Sequence, residues 1–316
     1  MTNRMRSVVR DLWRTSTPLT AVGLLMLAAL VPFAAGIWLD PRTIGGAPAW
    51  LKPAKFAAST AIYSLTLAWL FRYLGAWRHT TRVVGWTTAV VFVLEVAAIA
   101  VQAWRGTTSH FNVGTAFDAA VFSVMGAAIF LQTGASLAVA VALWRERFAD
   151  PALGWALRLG MALTIVGAST GWLMVRPTEA QLADARAGRG MPIAGAHTVG
   201  APDGGAGLTG TGWSVEHGDL RVPHFVGLHA VQSLGLFALL VGTGWSATRR
   251  VRLVLAAASS YTALFALLLW QALRAQSIMQ PDGITLVALA VWSMATAAGV
   301  YAATRSESLR RAALVY

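Results

Sequence analysis

VVGWTTAVVFVLEVAAIAVQAW, residues Val83–Trp104, decides the fold. The stretch carries one acidic residue, Glu95, and no basic one. As a helix rising 1.5 Å per residue it covers about 33 Å, enough to cross a hydrocarbon core of ~30 Å. Runs of the same kind recur at Leu19–Trp38, Phe56–Leu74, Gly114–Trp144, Ala152–Val175, Pro223–Trp245, Leu253–Leu273 and Ile284–Tyr301. The expected fold is therefore an all-α membrane protein with eight transmembrane helices in a lipid bilayer.

Composition agrees. Of 316 residues, 56% are hydrophobic and 12% charged. The net charge of +12 sits in short clusters between apolar runs, as membrane topology signals do, and forms no basic face interleaved with aromatics, so nucleic acid is excluded as a partner. With no cysteine, disulfides, thiolate zinc sites, iron–sulfur clusters and C-x-x-C-H haem attachment are excluded too. The arginines before Leu19 (Arg4, Arg6, Arg10, Arg14) imitate a signal peptide, but the run that follows is long and lacks a small-x-small cleavage site. It reads as a first span.

Loop charge orients the spans. With the N-terminus inside, Arg78 and Arg82, Arg145 and Arg147, Arg249, Arg250 and Arg252, and Arg310 and Arg311 all fall inside. The positive-inside rule then predicts a multi-pass protein with both termini cytoplasmic.

The two halves resemble one another. At an offset of 169 residues, KFAASTAIYSL from Lys55 lies over HFVGLHAVQSL from His224, and QAWR from Gln102 lies over QALR from Gln271. Phe56 falls on Phe225, Ala61 on Ala230 and Ser64 on Ser233. Two tandem, parallel-oriented four-helix repeats are expected, residues 1–151 and 152–316. The long outer loop at 176–222 belongs to the second. It is rich in Gly and carries GAHTVGAPDGGAGLTGTGW at its centre; a folded cap and a floppy connection are both open readings. It has no G-K-[ST], so a phosphate-binding loop is excluded.

Ionisable groups inside spans are costly and mark candidate sites. Glu95 lies nine residues before Trp104, roughly 13 Å below the outer end. Gln102 shares its helix face, and Arg105 follows three residues on. A structural polar network and a proton or ligand site both fit this stripe. At the repeat offset Glu95 meets Leu264, so the scaffold does not require an acid there. Glu95, Arg105 and Asp118 are the candidate catalytic residues. Gln102, Gln271 and Arg274 are candidates for binding a cofactor or a small molecule at the outer face.

Five of the six histidines fall outside. His224 and His229 are i, i+5, about 140° apart on a helix, so they do not chelate one ion together. If Pro223 starts the helix, His229 shares a face with Gln232 and Ser233. His229 with His110 could ligate haem b axially, or hold a divalent metal with Glu95 or Asp118. His110, His224 and His229 are the candidate metal ligands, against the plainer reading of polar residues bonding loops. Gly167 and Gly171, with Gly235, Gly242 and Gly244, read as helix-contact positions.

WLKPAKFAAS, QAWRGTTSHFN and GDLRVPHFVGLHAVQ together resemble a bacterial multi-pass integral membrane family to which no activity is assigned. The layout is also similar to haem A synthase, in architecture alone: the E-x-x-H-R motif is missing and the eighth span has no histidine. Such likeness does not carry function. Three functions remain open: a metal- or haem-dependent oxidoreductase, a transporter or receptor for a small solute with Glu95 as coupling group, and a non-catalytic subunit whose outer loop docks a protein partner of unknown identity.

Overall fold

The computed structural model describes residues 3–242 and 244–313, with side-chain surroundings for 5–242 and 244–305. The side chains of Arg4, Arg310 and Arg311, used in the charge reading, lie outside these. The chain is almost wholly helical: α1 (Asn3–Thr15), α2 (Thr17–Leu39), α3 (Leu51–Phe71), α4 (Arg78–Trp104), α5 (Ala116–Arg145), α6 (Pro151–Ser169), α7 (Gly171–Met174), α8 (Glu179–Arg186), α9 (Arg221–Leu228), α10 (Ala230–Leu240), α11 (Ala247–Leu273) and α12 (Gly283–Ala313). A small hairpin, Thr43–Ile44 with Ala47–Pro48, joins α2 to α3.

Local chemistry sets several boundaries. Asp150 accepts from the backbone N–H of Ala152 (3.0 Å) and Leu153 (3.4 Å), and Pro151 needs no donor partner, so α6 starts there. Ser246 accepts from Arg249 N at 3.2 Å and starts α11. Thr178 and Gln181 form a reciprocal capping box on α8.

Among the described residues six helical segments are long and apolar enough to cross a membrane: Thr17–Leu39, Gly75–Trp104, Ala116–Arg145, Pro151–Arg186, Ala247–Leu273 and Gly283–Arg305. A seventh is the pair α9–α10, bent by 45°. The expected eighth, α3, is 21 residues long but falls outside this set. Lys52, Lys55, Ser59, Thr60, Ser64 and Thr66 dilute its apolar content, and Thr60 and Ser64 are buried inside the protein.

The chain divides into two compact units. One comprises Met1–Ala142, Trp172–Thr198 and Pro202–Ser214; the other comprises Leu143–Gly171, Val199–Ala201 and Val215–Tyr316. The loop at 176–222, assigned by sequence to the second half, thus gives most of its length to the first unit.

In the first unit the core is Val22, Met26, Ala57, Ala61, Ala89 and Val96, with Phe33, Phe56 and Phe92 packed against it. Ala57 and Ala61 are wholly buried, and small residues here let helix backbones approach closely. In the second unit glycine does the same work. A Cβ on Gly160 would stand 2.7 Å from Val231 Cα, and one on Gly167 would collide with the Gly227 backbone. Gly235 has ordinary contact with Leu157 at 3.4 Å, whereas Gly242 and Gly244 have nothing within 4 Å and are not contact positions.

Candidate functional site

Glu95 is 3% exposed on α4, and its Oε2 has no hydrogen-bond partner among the described residues. Its other oxygen lies 3.6 Å from His110 Nε2. The distance is beyond a hydrogen bond and makes an ion pair only when the imidazole is protonated. Ser109 Oγ stands 3.1 Å from His110 Nδ1, so the ring is held from its far side. Lys52, at the start of α3, acts electrostatically on Glu95.

Backbone and aromatic packing aim the imidazole. His110 follows the end of α4, and the next residue, Phe111, is buried with a left-handed φ of 63°. Such a conformation is rare for a bulky side chain and persists only where its surroundings enforce it. Phe56, Phe111 and Phe122 surround the His110 ring, with centroids 5.7, 6.1 and 6.5 Å away.

The loop between α7 and α9 settles the question of order: it is folded. Val113 N donates to Pro192 O and Ala194 N to Phe111 O, both at 2.8 Å. Gln181 clamps Gly195 through both backbone groups, at 2.9 and 3.0 Å. Lys55 Nζ donates to Thr211 O at 2.5 Å. His197 packs at a tilt on Phe111, with ring centroids 4.8 Å apart, and pairs with Asp203 at 2.8 Å. Burial alone would raise the Asp203 carboxyl, but the hydrogen bond and charge of His197, with the N–H groups of His197 and Thr198, outweigh it and hold the group well below the usual carboxylate range. Since this segment bonds residues 111–113, it forms a cap beside His110.

Below the cap α4 carries a polar stripe. Thr88, Glu95 and Gln102 are spaced by seven residues, almost two turns, so they lie on one face, and all three are buried. Thr88 Oγ1, like Glu95 Oε2, has no hydrogen-bond partner among the described residues. Gln102 ends the stripe in a clasp. Its Nε2 donates to Asp118 Oδ1 at 2.8 Å, Arg105 Nη1 donates to the same oxygen at 2.5 Å, and Arg105 also donates to Gln102 Oε1. Thr115 donates to Asp118 Oδ2 at 2.6 Å. Arg105 and Asp118 therefore join the end of α4 to the first turn of α5.

The end of α11 in the second unit is held differently by the same residue types. Gln271 Nε2 donates to Ser277 O at 2.9 Å, and Arg274 Nη2 donates to Asp282 Oδ2 at 2.5 Å. Arg274 holds Asp282, outside the spans, well below the usual carboxylate range. Both units also carry a D-x-R turn. Asp40 accepts from Arg42 N, Nε and Nη2, and Asp219 accepts from the same three atoms of Arg221. Arg42 further donates to Trp104 O at 2.9 Å, satisfying a carbonyl at the α4 terminus. Arg42 and Thr88 escaped the sequence reading. The doubled D-x-R and the seven-residue spacing were the signals for them.

The histidines of the second unit do other things. His224 Nδ1 lies 2.9 Å from Gly167 O and 3.1 Å from Thr170 Oγ1, tying α9 to the end of α6. The helix starts at Arg221, two residues before Pro223, and breaks at His229, whose ring packs at a tilt on Phe225 with centroids 4.5 Å apart. His229 sits in the bend itself, as the residue that caps α10, and its carbonyl accepts from Ser233 N at 3.0 Å. Both polar atoms of the Gln232 carboxamide are buried with no hydrogen-bond partner among the described residues. Among the described residues no three His, Asp or Glu side chains gather at metal-binding spacing, so the expected set of His110, His224 and His229 has no metal geometry behind it.

Fold and site together define a multi-pass α-helical membrane protein with a buried carboxylate–imidazole pair. Compared with protein-family models, curated proteins and solved structures, the chain finds no match, so its function is argued from its residues.

Proposed function

We propose that this is an integral membrane protein that binds a small acidic solute together with a proton, with Glu95 as the proton-carrying group and His110 as its partner. The observation that carries the reading is the pairing of Glu95 and His110 at 3.6 Å, with one carboxylate oxygen unpartnered in a buried position. A lone ionised carboxylate is costly there and a protonated one is not, so a site that alternates between the two states couples proton binding to whatever else enters. Lys52 and a protonated His110 supply positive charge for an anionic group, while Glu95 takes the proton. The break at His229 supports the same reading, because interrupted spans are the means by which transporters expose backbone groups to a solute.

In this proposal α3 is embedded with the others, giving eight membrane helices in two tandem repeats, with both termini cytoplasmic and the cap outside. Helix lengths support the duplication: α4 and α11 are both 27 residues and begin and end 169 residues apart. The ends of α3 and α10, Phe71 and Leu240, keep that offset.

The experiment is a thermal-stability screen of detergent-purified protein against small carboxylic acids, with proton uptake followed by a soluble indicator. A carboxylate that stabilises wild type and takes up a proton, with both effects lost in Glu95→Gln, supports the proposal. Stabilisation that survives Glu95→Gln overturns it. A haem Soret band or stoichiometric metal removed by His110→Ala would replace it with the redox reading.

A further inference from the structure

We propose that α1 is a docking surface for anionic phospholipid headgroups, a binding site separate from the Glu95 pair. Arg6, Arg10 and Arg14 are spaced i, i+4, i+8 and so form a single stripe about 12 Å long on one helix face. They line a shallow groove together with Val9 and Trp13. None of the three makes an ion pair among the described residues. The one acid on the helix is Asp11.

The remaining positions say what covers the groove. Val9 and Leu12 are half-buried, and α1 packs on α2 and α3. Met5, Val8 and Trp13 are exposed, and Trp13 lies in the groove with the arginines. Only Ser16 separates α1 from the span α2, so α1 lies at the bilayer surface. A helix with an exposed Trp beside an arginine stripe places the indole toward acyl chains and the guanidinium groups among headgroups. A zwitterionic surface would leave three arginines without counter-charge. An anionic one neutralises them, and Arg binds phosphate oxygens bidentately.

The test is native mass spectrometry of the full chain released from nanodiscs of mixed phosphatidylcholine and phosphatidylglycerol. Wild type is expected to retain phosphatidylglycerol in excess of its bilayer share. The triple variant R6Q/R10Q/R14Q should lose that excess by about five-fold or more. The triple lysine variant should keep part of it, and phosphatidylcholine retention should not change. Equal phosphatidylglycerol retention by wild type and the glutamine variant overturns the proposal. If the triple variant fails to insert, R10Q is measured instead, and unchanged retention there overturns it equally.

Discussion

Arg105 closes the outgoing end of α4 by donating to Asp118 in the first turn of α5, at 2.5 Å, and Arg274 does the same for α11 with Asp282. The two clasps differ in exposure: the Asp118 side chain is 7% exposed and Asp282 40%. Removing one partner of a sheltered pair leaves the other charge poorly solvated, while exposed pairs contribute little. Asp118→Asn is therefore expected to lower the thermal midpoint clearly more than Asp282→Asn does. Thermal midpoints of the purified variants in one detergent decide this, and equal losses would be inconsistent with it.

The close crossing of α6 and α9 yields a sharper contrast. Gly167→Ala places a methyl on the Gly227 backbone, which has no side chain to move aside, and should cost about 2 kcal/mol or more. Gly171→Ala meets only His224 Cε1 at 3.6 Å and should be nearly neutral. Comparing the melting temperatures of the two variants tests the packing directly.

Acid should loosen the cap. The Asp203 carboxyl is held below its ordinary value, so its stabilisation is complete above about pH 4, the unfolded carboxylate range, and is lost as pH falls through the lower folded value. Amide exchange across residues 195–204 is expected to stay slow near neutral pH and to rise relative to the helices only below about pH 4. Asp203→Asn should raise it at neutral pH, a loss of about 1 kcal/mol given partial exposure. Unchanged exchange in that variant would remove the pair from the account.

Much of this architecture was legible in the residues. Apolar runs located α2 to α6 and α9 to α12, but neither α1 nor α8. Glu95 stood out because an acid inside such a run has few structural excuses. The misses have physical causes. The bend at His229 follows Gly227 by two residues, but the apolar run continues through it, so the hydrophobic pattern favoured one continuous helix. His110 turns toward Glu95 through the left-handed backbone of Phe111, a conformation that tertiary packing imposes and that no spacing predicts. Asp118 reads from sequence as a candidate catalytic or metal-ligating acid, and its pairing with Gln102 and Arg105 at the end of the preceding helix comes from the tertiary fold. The cap was ambiguous because Gly-rich composition fits both a mobile loop and a tightly turned one. Its helix α8 and its bonds to residues 111–113 come from side-chain and backbone matches that composition does not encode.

The pairing of Glu95 with His110 is the centre of the account, and its most direct test is proton movement across a membrane. Protein reconstituted in liposomes that enclose a pH-sensitive dye would be given an external carboxylate that stabilises it in solution. The account predicts acidification of the lumen that depends on the carboxylate, is abolished in Glu95→Gln, is strongly reduced in His110→Ala, and persists in Asp282→Asn. Acidification of equal rate in wild type and Glu95→Gln would contradict it.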